Sequence, residues 1–121
     1  MASNKAFRFG PVALGTAVAD LLNPPDTTSG VGTGTPGTFI ILRHIQVVNR
    51  TALPAVYTMY LGATGASAAG TEVVGAGKTV LANSTDHWYG ALRLDVADFL
   101  TGNAGTASAL VVTGEGEIGV A

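Results

Sequence analysis

Short segments rich in β-branched residues alternate with turn residues along the whole chain, and no segment has the pattern of a long helix. The clearest strand covers residues 38–49, "TFIILRHIQVVN"; the turn residues "NRTALP" follow, and then a second strand, "AVYTMYLG". Turn signals recur every 8 to 14 residues. This pattern predicts seven or eight short strands in an antiparallel β-sandwich or jelly roll, because a parallel sheet would need helices between its strands.

Side chains alternate between the two faces of a strand, so the sequence also predicts which residues share a face. In the first strand, one parity comprises Phe39, Ile41, Arg43, Ile45 and Val47. In the second strand, one face comprises Tyr57, Met59 and Leu61, and the other Val56, Thr58 and Tyr60. A further strand, "HWYGALRL", places Trp88, Gly90, Leu92 and Leu94 on one face.

The remaining segments predict shorter elements. The N-terminal part contributes "AFRF" and "PVALGTAVADLL", one or two strands broken at Gly15. "ATGASAAGTEVVGAGK" is too rich in glycine for a helix, and "TVLA" after it is a short strand. "DVADFL" is interpreted as a single helical turn with Asp95 as its N-cap, and "SALVVTG" and "EIGV" as two strands separated at residues 114–116. We expect one domain, with an N-terminal arm, first strands and a Gly/Pro-rich loop over residues 1–37 and the sandwich body over residues 38–121.

Two glycine motifs resemble phosphate-binding loops. Residues 32–37 match G-x-G-x-x-G, but a strand follows them instead of the helix whose N-terminus would hold a phosphate, and Pro36 lacks a backbone N–H. "GAGKT" at residues 75–79 has Glu72 where a P-loop requires its first glycine. We therefore interpret residues 32–37 as a linker and Lys78 as a solvated turn residue.

The charge content limits the classes of partner. Only 12% of the residues are charged, the net charge is −2, and the six basic residues are scattered, so no stripe exists that would follow a nucleic-acid backbone. No cysteine is present, which excludes disulfides and thiolate metal sites. The chain contains no long apolar run and "MASNKAFRFG" is not a signal peptide, so we expect synthesis in the host cytoplasm and no membrane partner. So few charges leave much of the surface suited to contact with other subunits.

Candidate catalytic residues are few. His44 and His87 lie on different predicted strands, and neither has a second ligand at metal-binding spacing on its own element. The side chains of Asp86 and His87 are expected on opposite faces of their strand. Asp95 and Asp98 suit a cap and a solvated face as well as acid–base chemistry. The sequence therefore predicts no enzyme activity, no cofactor and no metal, with both histidines on a strand surface or at an interface.

Aromatic residues supply the candidates for contact with partners. Trp88 and Tyr89 are adjacent, so one is expected to face inward and the other outward. The pair is either a core tryptophan with an ordinary surface tyrosine, or it includes an exposed aromatic that fills a partner's pocket or stacks on a sugar. In "MASNKAFRFGP", Phe7, Arg8 and Phe9 suit either an arm that adds to a neighbour's sheet edge or an ordinary first strand of the chain's own sandwich. The predicted interface set is Phe7, Arg8, Phe9, Trp88 and Tyr89.

Residues 40–120 resemble small structural proteins encoded in the virion gene clusters of tailed bacteriophages. The stretches that carry the resemblance are "VVNRT", "MYLGATG", "VLANS", "LDVADFL" and "VTGEGE", in that order. The resemblance implies a β-sandwich that decorates or joins virion components, above all a capsid decoration (cement) protein.

The expected function is binding to the outside of an assembled capsid, with the major capsid protein lattice as partner. A homotrimer at the local symmetry axes is expected, because closed symmetry lets one weak patch act several times. The alternative is another virion component, such as a head fibre or a neck or tail protein, or an attachment module that recognises host-surface carbohydrate. For that last function the stacking candidates are Trp88, Tyr57, Tyr60 and Tyr89.

Overall fold

The computed structural model describes residues 5–25, 37–62 and 70–120, which contain eight β-strands and no helix. The strands are β1 (Lys5–Ala13), β2 (Ala19–Leu22), β3 (Gly37–Asn49), β4 (Ala55–Gly62), β5 (Glu72–Val80), β6 (Thr85–Asp95), β7 (Phe99–Ala104) and β8 (Leu110–Val120). They form two four-stranded antiparallel sheets that pack as a sandwich, so the predicted all-β fold is confirmed. The described residues include no helix long and apolar enough to cross a membrane.

The strand order identifies the sandwich as a jelly roll. The first sheet has the order β1-β8-β3-β6 and the second the order β2-β7-β4-β5. Strand β1 pairs with β8, β2 with β7, β3 with β6 and β4 with β5, so the chain is paired like one long hairpin that is wrapped into two sheets. Because of this wrapping, the β1–β2, β3–β4, β5–β6 and β7–β8 connections meet at one end of the sandwich.

The core lies between the sheets and is almost entirely aliphatic. Tyr57 and Met59 are buried on β4, as their parity predicts, and the opposite-face residues Val56, Thr58 and Tyr60 are not. The largest fully buried side chains are Tyr57, Leu14, Leu21, Leu22, Ile40, Leu42, Ile45, Met59, Leu94, Leu100, Leu110 and Val47.

The predicted face of β3 is wrong for its first half. Ile40 and Leu42 are buried before Arg43, whereas Ile45 and Val47 are buried after it. The register of β3 shifts between Leu42 and His44 against both of its neighbouring strands. A β-bulge adds one residue and so reverses the parity, which puts the side chains of residues 39 and 41 on the outer face.

Glycines explain two further corrections. Of the predicted strand "TVLA", Thr79 and Val80 are the last two residues of the longer β5, whereas Leu81 and Ala82 lie in the connection that follows it. Gly75 and Gly77 of β5 have φ values of +66° and +67° and pair irregularly with β4, and Lys78 lies in this strand and not in a turn. The two predicted C-terminal strands are one continuous strand, β8. Gly114 does not break it but leaves room for the ring of Phe9, and Gly116 leaves room for the carbonyl of Ile41.

The predicted helical turn after β6 is also wrong. Residues 96–97 form a turn between β6 and β7, in which the N–H of Asp98 donates to the carbonyl of Asp95 at 3.0 Å. The Asp98 carboxylate accepts the N–H of Asp95 at 2.9 Å, so Asp98 and not Asp95 is the side chain that stabilises the turn. The predicted linker at residues 32–37 lies outside the described residues, except for Gly37, the first residue of β3.

Candidate functional site

The outer face of the β1-β8-β3-β6 sheet carries a row of four side chains that crosses all four strands. Arg8 on β1 is in register with Glu115 on β8, Glu115 with His44 on β3, and His44 with Tyr89 on β6. We call these four residues the polar row. The bulge in β3 positions its third member, because Leu42 and Ile45 are both buried and Arg43 and His44 between them both face outward.

Hydrogen bonds and ring contacts hold the centre of the polar row together. Nδ1 of His44 lies 3.2 Å from Oε1 of Glu115, and its Nε2 lies 2.9 Å from Nδ1 of His87. The ring of Tyr89 stacks on that of His44, with 4.7 Å between centroids and 11° between planes. Tyr89 is nevertheless 71% exposed, so the rest of its ring is open to solvent.

Sequence reasoning placed the two histidines on separate strand surfaces and did not predict that they meet. The fold brings them together because β3 and β6 are neighbours in the sheet, with Gln46 in register with His87. The partner residue Glu115 was not among the sequence candidates at all. In the sequence Glu115 stands between two glycines, which predicts a turn, and nothing else there marks it as a site residue. Within residues 5–25, 37–62 and 70–120, no group of three or more His, Asp or Glu side chains is placed to hold a metal ion.

An open cavity of about 150 Å³ lies beside His44 in the polar row. Its lining is formed by Arg8, His44, Gln46, Thr113, Gly114 and Glu115. The side chains of Arg8, Gln46 and Thr113 form no hydrogen bond or ion pair with the described part of the chain. The cavity therefore presents donors and acceptors that the fold itself does not use. Arg43 and Glu117, which form an ion pair of 2.8 Å, lie on the same face.

The predicted interface set divides between the two faces of the sheet. Arg8 and Tyr89 are at the two ends of the polar row, on the outside. Phe9 is buried, and Phe7 and Trp88 are partly buried and pack against the core, so these three side chains serve the sandwich of their own chain. Residues 5–13 form the edge strand β1, which is the ordinary first strand of the two alternatives for this segment.

The other stacking candidates are less accessible. Tyr57 is 2% exposed and its hydroxyl donates to Asp86, so it is not available to a ligand. Tyr60 is partly buried on β4, in the opposite sheet.

A second distinctive surface is the end of the sandwich where four connections meet, which we call the loop end: residues 14–18, 50–54, 81–84 and 105–109. Backbone hydrogen bonds join them, from Asn83 to Thr51 at 2.9 Å, from Arg50 to Ala109 at 3.0 Å and from Ser108 to Leu14 at 3.1 Å. Leu53 and Leu81 project from this end with 73% and 67% exposure, and Arg50 is the one charged residue in the four segments.

Buried Asn49 holds the loop end in place. Its Nδ2 donates to the carbonyls of Leu53 at 2.8 Å and Val80 at 3.1 Å, and its Oδ1 accepts the N–H and the hydroxyl of Thr51 at 2.9 and 2.8 Å. The side-chain amide of Asn49 thus links the β3–β4 connection, which carries Leu53, to the end of β5, which Leu81 directly follows. Asn49 was not among the sequence candidates.

Shifted pKa values occur away from both surfaces, where β4, β5 and β6 come together. Burial raises the pKa of Tyr57 above its ordinary value, and its hydrogen bond to the Asp86 carboxylate raises it further. Burial opposes the charge on Asp86, but the hydrogen bond from Tyr57 and the ammonium of Lys78, 3.1 Å away, outweigh it and lower the pKa of Asp86. This cluster supports the fold, since its tyrosine is inaccessible.

Comparisons with known proteins add little to this geometry. No protein-family model matches the chain, and no curated protein matches it. A chain in the structure of infectious bursal disease virus, Gx strain, shows a weak structural similarity, with a TM-score of 0.31 and 11% sequence identity over 96% of this chain. The match spans 28% of the virus chain. A similarity this weak carries no argument about function, so the proposals below rest on the chain's own sequence and geometry.

Proposed function

We propose that this chain is a virion structural protein that binds the outer surface of an assembled phage capsid and stabilises the shell, without catalysing a reaction. The jelly roll supports the proposal as an architecture that capsid proteins use widely. The resemblance of residues 40–120 to small virion proteins of tailed bacteriophages supports the phage and decoration parts of it.

The observation that carries the proposal is the loop end. Two leucines that are more than two-thirds exposed stand on a surface with a single charged residue, Arg50. Exposed apolar groups in a charge-poor patch are typical of the centre of a protein–protein contact, where charged residues are depleted. The hydrogen bonds of Asn49 hold this surface in shape before binding, which lowers the entropy cost of association.

A protein with a small contact area can still bind a capsid firmly, because the capsid lattice repeats the same binding site many times. One loop end offers few large apolar side chains, so a single copy would bind weakly. Three copies arranged around a local three-fold axis of the shell would engage three equivalent sites at once, and the linked contacts would raise the apparent affinity well above that of one. We therefore propose a trimer on the capsid.

The experiment measures binding to emptied capsids from the virus whose genome carries the gene. Purified protein should co-sediment with these capsids and raise their melting temperature in calorimetry. The double variant Leu53→Ser/Leu81→Ser should weaken binding at least tenfold, because both apolar anchors are lost. The matched control is Val96→Ser, which removes another exposed apolar side chain from the turn between β6 and β7 and should bind normally.

Three outcomes would overturn the proposal. Wild-type protein that neither binds nor stabilises the capsids contradicts decoration directly. Binding to purified tails but not to capsids favours the alternative of a tail or neck component. Full capsid binding by the folded double variant removes the loop end from the contact.

A further inference from the structure

We propose that the polar row, together with Gln46 and Thr113, is a binding site for a saccharide. This goes beyond the proposed capsid contact, because it uses the outer face of one sheet and not the loop end. The site would give a protein bound to a particle a second function, the recognition of a hydroxyl-rich ligand.

The hydrogen-bonding groups of the cavity match a polyol. Arg8 offers only donors, whereas the amide of Gln46 and the hydroxyl of Thr113 both donate and accept. Glu115 offers acceptors, and one of its oxygens already bonds to His44. Each sugar hydroxyl both donates and accepts, so adjacent hydroxyls can pair with donors and acceptors on the same wall. A phosphate or sulfate offers acceptors alone at full charge and would meet the Glu115 carboxylate, which disfavours those anions.

Tyr89 supplies the apolar part of such a site. A pyranose ring has a face of C–H groups, and an exposed aromatic ring is the side chain that packs best against it. The ring of Tyr89 is already stacked on His44, so less side-chain freedom is lost when a ligand binds. His44 is in turn held by Glu115 and His87, at 3.2 and 2.9 Å. The aromatic platform is therefore preorganised by hydrogen bonds across three strands.

The dimensions favour a short oligosaccharide over a single sugar. From Arg8 on β1 to Tyr89 on β6 the polar row crosses three strand spacings of about 4.8 Å, or about 14 Å in total. The cavity lies toward the β1 end of this distance and Tyr89 lies at the β6 end. One sugar unit would occupy the cavity while its neighbour packs on the tyrosine ring.

The test uses the purified full-length protein without capsids. An array of soluble oligosaccharides built from hexoses, deoxyhexoses and N-acetylhexosamines serves as the first probe. The strongest ligand is then titrated into ¹⁵N-labelled protein, and amide shifts are expected to concentrate at Arg8, Gln46, Thr113, Glu115 and Tyr89.

Two variants and two matched controls locate the site. Tyr89→Ala should weaken binding about fivefold to tenfold, and Arg8→Ala about tenfold or more, because a charged hydrogen-bond donor is lost. Lys5→Ala removes the same charge from the same strand, and Tyr60→Ala removes the same ring from the opposite sheet; both should bind like the wild type. Arg8 and Tyr89 are exposed, so both variants are expected to fold, which circular dichroism checks. Thr113→Val, which loses only a hydroxyl, gives a third measurement of the affinity for the oligosaccharide.

The results that would overturn the proposal are equally specific. A wild-type protein that binds no oligosaccharide at millimolar concentration contradicts it. So does binding that survives both Tyr89→Ala and Arg8→Ala, because the ligand would then lie elsewhere. Capture of an acidic peptide at Arg8 in place of any sugar would identify this face as a protein contact instead.

Discussion

Tyr57 and Asp86 belong to different sheets, and the hydroxyl of Tyr57 donates a hydrogen bond of 2.6 Å to Oδ2 of Asp86. Lys78 on β5 lies 3.1 Å from the other carboxylate oxygen. The contact joins β4 of one sheet to β6 of the other, along the side of the sandwich where β5 and β6 are the edge strands. This charged hydrogen bond is a direct polar link between the two layers, whose other contacts are apolar in the main.

We expect Tyr57→Phe to lower the free energy of unfolding by about 1.5–3 kcal/mol, because the variant removes a hydrogen bond to a charged group and leaves that carboxylate partly buried. Urea denaturation of both proteins measures the difference. Tyr60→Phe removes a hydroxyl from the other face of the same strand and should cost less than about 0.5 kcal/mol. Equal effects of the two substitutions would show that the Asp86 contact has no special role.

Acid should weaken the same link. Because the pKa of Asp86 is lowered in the fold, the unfolded chain takes up this proton first as the pH falls, near the ordinary aspartate pKa of about 3.9. The stabilisation by Asp86 is therefore complete above that value and is lost as the pH falls through the folded pKa. We expect the wild type to lose stability below about pH 5 more steeply than Asp86→Asn, measured as urea midpoints across the acid range. Identical slopes would contradict this.

The polar row predicts which nitrogens of its histidines carry protons. The Glu115 carboxylate only accepts, so Nδ1 of His44 must donate to it. While both rings are neutral, Nε2 of His44 then accepts, and Nδ1 of His87 must be the donor. ¹⁵N NMR of the imidazoles should therefore find the proton on Nδ1 in both rings. Glu115→Ala should release His44 from this tautomer, and a wild-type His44 protonated on Nε2 alone would contradict the prediction.

Asn49→Asp should destabilise the protein by about 3 kcal/mol or more. The substitution replaces an amide donor that serves two carbonyls with a buried carboxylate that faces both of them. Thermal unfolding measures the effect. Asn103→Asp is the matched control, because Asn103 donates one exposed hydrogen bond of 3.2 Å to the carbonyl of Thr16, and its loss should cost less than about 1 kcal/mol. A similar cost at both positions would mean that Asn49 does not hold the loop end.

Much of the fold was predictable because its causes are local. Strand composition and turn spacing predicted the β-sandwich and the number of strands. Alternation within a strand correctly separated buried Tyr57 and Met59 from their neighbours, and it correctly placed Trp88 and Tyr89 on opposite faces of β6. The structure of the glycine-rich segments was harder to predict, because a glycine is equally compatible with a turn, a β-bulge or a close approach of two groups. Gly75 marks an irregular strand, whereas Gly114 makes room for a phenylalanine ring.

The candidate sites were only partly predictable. Arg8 and Tyr89 were chosen from the sequence, but nothing in the chain order links them to each other or to His44. Leu53 was predicted in a turn and Leu81 in the short strand "TVLA", and neither was a candidate for a contact. The exposure of an apolar side chain depends on what the rest of the fold leaves uncovered.

By itself, the sequence determined the β class, the spacing of the strands and most inward and outward directions, since these follow from the two-residue period of an extended chain. Tertiary structure alone decided the register of distant strands and the bulge at Arg43. A bulge forms where one strand has an extra residue between two backbone hydrogen bonds that it shares with its partner. It therefore depends on how the two strands pair and does not follow from the residues of either strand alone. The alignment of Arg8, Glu115, His44 and Tyr89 depends on that bulge and on the pairing of β1 with β8, which brings Arg8 next to Glu115 from more than 100 residues away in the chain.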